Sequence, residues 1–205
     1  MTEEREGRRL AAIVAAELVG LRPLIGADGE EARQAFDTHR RELVEPAVAA
    51  HLGRTIALAD GGWLIEFTDA TAAVACALAI QYGMSERNGG VSPARRTQFR
   101  IGVDSDDADA ARRLRALAAP GAICVSQAVR DHVNDRLPVV FEDLGERKFA
   151  GGVRAYRVIW SLAASAPMPP ARRGLAARRR TSRQLTGAGA ALLLAGLTLL
   201  AYLHA

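Results

Sequence analysis

Along the first 160 residues the apolar positions fall into short blocks whose period switches between two and about 3.6, and the switches outline the elements. "RLAAIVAAELVG" is a short apolar run, β-branched in part, with charge before it and Gly20 after it, and is read as a buried strand over Leu10 to Leu18. "DGEEARQAFDTHRRELVEPAVAAHLG" has a helical period, with acids in its first turn near Asp28 and a stop at Gly53; Pro46 is placed to kink it. "RTIALADGGWLIEF" reads as two strands joined by a tight turn carrying Asp60, Gly61 and Gly62. A second helix is predicted from Asp69 to Arg87, and the loop "NGGVSPARR" leads to the strand "TQFRIGV". "DADAARRLRALA" is helical, "GAICVS" a strand, and "SQAVRDHVNDRL" a helix with Ser126 as its cap. "PVVFEDLG" and "RAYRVIW" close the body as strands. The order is β-α-β-β-α-β followed by α-β-α-β-β. This predicts an α+β class protein, a ferredoxin-like split arrangement with additions, in which helices cover one sheet as a sandwich.

After residue 160 the pattern changes twice. Residues 161–184 form a Pro/Arg-rich linker, "SLAASAPMPPARRGLAARRRTSRQ". Then Leu185 to Leu203 run nineteen residues without a charge, close to the ~20 apolar residues that a ~30 Å hydrocarbon layer requires of a helix. A buried globular helix is the alternative reading, but this segment is apolar on every face, follows an arginine cluster and carries Tyr202 near its end as an interfacial anchor would. The expectation is a C-terminal transmembrane helix over 185–203. The positive-inside rule then puts residues 1–184 in the cytoplasm, with a single-pass anchor in the cell membrane. Gly187, Gly189, Ala191, Ala195 and Gly196 could form a close helix-helix face or simply fill the span.

Charge sharpens this division. The chain is +4 overall, and residues 161–205 hold six arginines and no acid; subtracting these six leaves the first 160 residues at −2. A nucleic-acid reading would want basic groups on the folded body, so nucleic acid is not expected as a partner. The arginines of the linker suit the negatively charged face of a membrane. Cys76 and Cys124 both lie in apolar runs and read as small core residues rather than a disulfide or metal pair. No phosphate-cradling Gly-rich loop, metal-spaced His and Cys set or Ser-His-Asp group is found, and His39, His51 and His132 read as surface or packing residues.

The element order, with "RRLAAIVAAELVGL", "HRRELVEPAVAAHLGR", "FRIGV", "ARRLRALAAPGAICVS" and "FEDLGERKFAGGVRAYRV", resembles the catalytic domain of the class III adenylate/guanylate cyclases. The likeness spans residues 8–159, so a cyclase-homology domain is assigned to residues 1–160. The resemblance implies head-to-tail dimers with sites at the interface, and two Mg2+ or Mn2+ ions held by two aspartates. Such ions lower the pKa of the attacking 3′-hydroxyl and neutralise phosphate charge. The first aspartate position holds Glu17, which keeps the charge but is one methylene longer. The second falls on Gly61, with Asp60 one residue earlier. A one-residue shift in extended backbone turns a side chain to the other face, and Asp-Gly is itself a preferred hairpin turn pair. Asp60 is therefore either a turn residue or a ligand that needs a rearranged turn.

Other functional positions also depart from the pattern. The base-selecting lysine aligns with Ala57, and the chain's one lysine is Lys148. The ribose-orienting asparagine and the transition-state arginine align with Asp109 and Arg113; Arg113 is retained, or is a solvated member of a cluster with Arg112 and Arg115. Between "FRIGV" and "ADAARRLRALA" the family carries a strand and a projecting hairpin, where this chain has only "DSDD". The expectation is a catalytically degenerate cyclase-homology domain, tethered to the membrane and acting in signalling through a protein partner, either a cyclase or another membrane protein. The alternatives are an active cyclase converting ATP or GTP to the cyclic nucleotide and pyrophosphate, in a homodimer or heterodimer, and a nucleotide-binding sensor without turnover. Glu17 and Asp60 are the candidate metal residues, Arg113 and Asp109 the candidate catalytic positions, and Mg2+ or Mn2+ is expected only if nucleotide binding survives.

Overall fold

The computed structural model describes residues 11–20, 30–59, 62–147 and 153–160. In chain order they form β1 (Ala12–Val19), α1 (Glu30–His39), α2 (Glu45–Ala50), β2 (Arg54–Ala59), β3 (Gly62–Phe67), α3 (Ala70–Arg87), β4 (Gln98–Asp104), α4 (Ala108–Leu117), β5 (Ile123–Ser126), α5 (Gln127–Val133), β6 (Val140–Arg147) and β7 (Val153–Ile159). The strands make one seven-stranded mixed sheet in the order β2-β3-β1-β4-β5-β7-β6. β1 runs antiparallel to both neighbours, and β4 and β5 form the one parallel pair among the described strands. The described residues all belong to one compact unit.

Alternation along β1 sets the two faces. Ala12, Val14, Ala16 and Leu18 join the main core with Ile65, Phe67, Phe99, Ile101 and the buried side of α3. Ile13 and Ala15 point the other way and meet α4 through Ala108 and Ala111. The helices therefore divide between the faces, with α3 and α5 on the main core and α4 alone on the opposite side. This refines the expectation of helices over one sheet. On the main core Phe36 stacks on Trp63 with centroids 4.5 Å apart, and Trp63 meets Phe99 at 5.6 Å. Burying each such side chain stabilises the fold by about 1.5–3 kcal/mol relative to leaving it in water.

The helix predicted up to Gly53 is two helices joined by a π-helical turn over Arg40–Val44, in which the N–H of Glu45 reaches the carbonyl of Arg40. Pro46 sits in the first turn of α2, where a missing N–H does no harm. It cannot serve the carbonyl of Glu42, four residues earlier. The Arg87 guanidinium donates to that carbonyl at 3.4 Å and to the Glu42 carboxylate at 3.1 Å. The predicted start of this helix near Asp28 and the predicted first-strand residue Leu10 lie outside the described residues.

Asp69 caps α3 by accepting from the N–H of Thr71 at 3.1 Å, and is also 3.3 Å from His132 on α5. Ser126 precedes α5, but its hydroxyl makes no capping bond and is buried. The expected cap is thus one of position only, because Ser126 is the last residue of β5 and is paired with Ala155. Cys76 and Cys124 are buried free thiols, and burial pushes Cys76 up to about 12. Among the described residues no helix is long and apolar enough to cross a membrane. The predicted linker 161–184 and transmembrane segment 185–203 lie outside the described residues.

Candidate functional site

The α4 face of the sheet carries the site. Gly102 on β4 makes it possible, because a Cβ there would lie 2.1 Å from the carbonyl oxygen of Ala111 and 2.2 Å from the amide nitrogen of Arg115. Any side chain at 102 would lift α4 away. With glycine, the helix backbone lies flush on the strand. Ala110, Ala111 and Leu114 are its buried positions, and Arg115, one helical turn after Ala111, falls at the edge of that buried stripe.

The strand register places the charged groups. Ala15 is opposite Gly102 and Glu17 is opposite Arg100, so Glu17 and Arg100 leave the sheet side by side on the α4 face. Arg115, seated over Gly102, brings its Nε to 3.5 Å from Oε2 of Glu17, with both side chains about 30% exposed (27% and 33%). This is an ion pair by distance; the Nε–H is not aligned for a hydrogen bond. The Nε of Arg100 is likewise buried without a hydrogen-bond partner. Beside this group lies a small cavity of about 50 Å3, lined by Ala15, Ala57, Gly62, Leu64, Arg112 and Arg115 among others.

The other predicted residues are distributed as follows. Asp109 is exposed in the first turn of α4, where its carboxylate accepts from Arg112 at 2.7 Å. Arg113, one turn later, is half-buried. Ala57 is on β2 and lines the cavity. Asp60, its neighbour Gly61 and Lys148 lie outside the described residues. Two of the three acids of "DSDD" are engaged locally: Asp104 accepts from the N–H of Asp107 at 3.2 Å, and Asp107 caps α4 by accepting from the N–H of Asp109 at 2.7 Å. Only residues 105–107 separate β4 from α4. Arg100, Arg112 and Arg115 were not singled out from the sequence. The signal for Arg115 was present in the helical period, four residues after Ala111 and three before Ala118, both of them buried.

Histidines and the larger cavity lie elsewhere. His51 is buried and His39 faces Thr97 at 3.2 Å; burial lowers both pKa values, with the Arg87 charge adding to the effect at His39. A cavity of about 520 Å3 near the end of α3 shares no residue with the Glu17 site. Its polar lining is largely engaged: Gln81 bridges the carbonyls of Phe99 and Ala122, Asn88 donates to Thr97, and Arg157 pairs with Glu142.

The same arrangement of strands and helices is found in solved cyclase domains. The adenylate/guanylate cyclase/hydrolase from Silicibacter pomeroyi is 33% identical, with a TM-score of 0.67, and the match covers 75% of this chain and 98% of that one. The chain belongs to the class III adenylate/guanylate cyclase family. A Rhizobium meliloti (strain 1021) protein named "Putative adenylate cyclase 3" is 32% identical over 183 residues, covering 83% of this chain. The chain spans 31% of the length of that curated relative. The adenylyl cyclase CyaB from P. aeruginosa shares the fold at 17% identity, with a TM-score of 0.62, 74% of this chain and 94% of that one being covered. No protein-family model matches the chain.

Membership implies a divalent metal, and the described residues can be tested for it. Among them no group of three or more His, Cys, Asp or Glu side chains comes together to hold an ion. Glu17 has Arg115 on one side and Arg100 across the strand pair. Hard divalent cations take six or more oxygen ligands from carboxylates, carbonyls and water, and a guanidinium competes with such an ion for the same carboxylate. Among the described residues, which do not include Asp60, the donor set around Glu17 does not fit a divalent ion.

Proposed function

We propose that this cyclase domain has lost two-metal nucleotidyl cyclisation and acts in signalling as a membrane-tethered module that binds a protein partner. The observation that carries the reading is the Glu17–Arg115 ion pair: the carboxylate at the first metal position faces a guanidinium at 3.5 Å. Deprotonating a 3′-hydroxyl and neutralising a triphosphate calls for hard cations on carboxylate oxygens. Here the cation is fixed to the protein, and it has no open coordination position to offer a hydroxyl.

Three further features support it. The three-residue link between β4 and α4 leaves no room for the family's projecting hairpin. At the ribose position Asp109 presents a carboxylate, already paired with Arg112, in place of a neutral amide. Edge strand β2 exposes Ile56 and Leu58, 41% and 49% accessible, beside Leu52 at 45%. An exposed apolar edge of this kind suits contact with another chain, here a cyclase or a membrane protein. The division into a homology domain over 1–160, a linker over 161–184 and a tail anchor over 185–203, with the domain on the cytoplasmic side, belongs to the same proposal. It rests on the nineteen uncharged residues and the six arginines before them.

Cyclic-nucleotide production by the full chain in detergent micelles, with Mn2+ and ATP or GTP, tests the reading beside a Glu17→Ala control. The expected result is no product above the control. Metal-dependent turnover that disappears in Glu17→Ala would establish the active-cyclase alternative.

A further inference from the structure

We infer that the pocket between α4 and the sheet is an anion site, which takes a phosphoryl group without a divalent metal ion. It deepens the proposal that metal chemistry is lost and rests on that reading. Arg112 and Arg115 line the pocket, and Arg100 stands across the strand pair from Glu17; against these three guanidinium groups are two carboxylates, Glu17 paired with Arg115 and Asp109 paired with Arg112. Asp109 is occupied by Arg112 on the exposed side of the helix, so Glu17 is left between two arginines. The excess charge there is positive.

The donors point the same way. Buried N–H groups are almost always paired in folded proteins, and those on charged groups are the costliest to leave without an acceptor. The Nε atoms of Arg100 and Arg115 are both buried and make no hydrogen bond. Glu17 does not saturate them. Guanidinium groups offer planar forks of N–H donors that match phosphate oxygens. The cavity beside Arg112 and Arg115 measures about 50 Å3, against roughly 10–15 Å3 for one water on the same kind of measure. A single phosphoryl group is in scale with it. Its other lining residues, Ala15, Ala57, Gly62, Trp63 and Leu64, are uncharged, and Ala57 leaves open the space a longer side chain would fill.

The sign of the Glu17 effect separates this site from a metal site. At a metal-bridged phosphate site Glu17 helps binding by holding the ion. At an anion site it competes for the arginines and repels the ligand.

Titration calorimetry on the full chain, with inorganic triphosphate, ATP and GTP as probes in EDTA and again in Mg2+, tests it. Binding in EDTA is expected, not strengthened by Mg2+, weakened at least tenfold by Arg115→Ala and severalfold by Arg100→Gln, and strengthened severalfold by Glu17→Gln. Circular dichroism confirms that each variant is folded, and the conservative Glu17→Gln keeps the test open if Arg115→Ala fails to fold. A nucleotide binding more tightly than triphosphate would support the site with a nucleotide as its source, and equal affinities would support it with free polyphosphate. Absence of binding in EDTA, or binding that needs Mg2+ and is lost in Glu17→Gln, would overturn the inference. Its failure is distinct from that of the proposed function, which metal-dependent turnover would contradict.

Discussion

The two faces of the sheet have been built from different materials. The face toward α3 and α5 is a continuous apolar core, with Ile65, Phe67, Phe99 and Ile101 at or below 1% exposure. The face toward α4 is made of small residues and charges: Ala15, Gly102 and Ala111 where the backbones approach, then Glu17, Arg100 and Arg115 at the rim. The first face holds the fold and is indifferent to chemistry. The second contributes less apolar burial and carries every predicted site residue among those described. Substitutions at Glu17 and Asp109 therefore leave the apolar core of the other face untouched.

That division is most severely broken from the core side. Phe99→Ala removes a fully buried ring that meets Trp63, and the expected loss is about 3–5 kcal/mol of folding stability. Against the ~5–15 kcal/mol typical of a domain, urea unfolding should show a large drop in midpoint. Next in size is Gly102→Ala. Its methyl would meet the backbone of Ala111 and Arg115 near 2 Å (2.1 and 2.2 Å), so a loss of about 1–3 kcal/mol is expected as α4 is displaced. This variant should lose phosphoryl binding even under conditions where it is fully folded, whereas Phe99→Ala should lose it only in step with unfolding.

A smaller effect concerns pH. Burial lowers the pKa values of His51 and His39 in the folded state. The unfolded chain then binds more protons below the usual histidine value of about 6.5, so the stability contributed by their neutral forms is full above that pH. It is lost as pH falls from there through the lowered folded values. Urea midpoints measured between pH 7.5 and 5 should decline, and His51→Gln should flatten the decline. Smallest is Arg112→Ala. Its pairing with Asp109 is on the exposed side of α4, 48% and 68% accessible, and exposed pairs contribute no more than about 1 kcal/mol. Thermal unfolding should barely move.

The sequence made the core face legible and left much of the α4 face unread. Strands and helices follow from apolar period, and the predicted order of elements matches the structure. The π-helical turn at Arg40–Val44 was not visible, since it depends on where Pro46 leaves the Glu42 carbonyl and on Arg87, forty-five residues away, reaching it. Position-by-position comparison with the family singled out Glu17, Asp109 and Arg113, but not what Glu17 touches. Its partner Arg115 is distant in sequence and is brought near by a glycine on a third element, Gly102 on β4. Ser126 takes the cap position without the capping bond for a related reason, because cap propensity is local and the pairing of β5 with β7 holds the residue in the sheet.

Whether Glu17 is available to a metal ion decides between a degenerate and an active domain, and Mn2+ reports this directly. Electron paramagnetic resonance of free Mn2+, titrated with the full chain, should show a signal that wild type and Glu17→Ala reduce equally or not at all. A loss of free-ion signal with wild type that Glu17→Ala restores would contradict the account, and would return Glu17 to the role of a metal ligand.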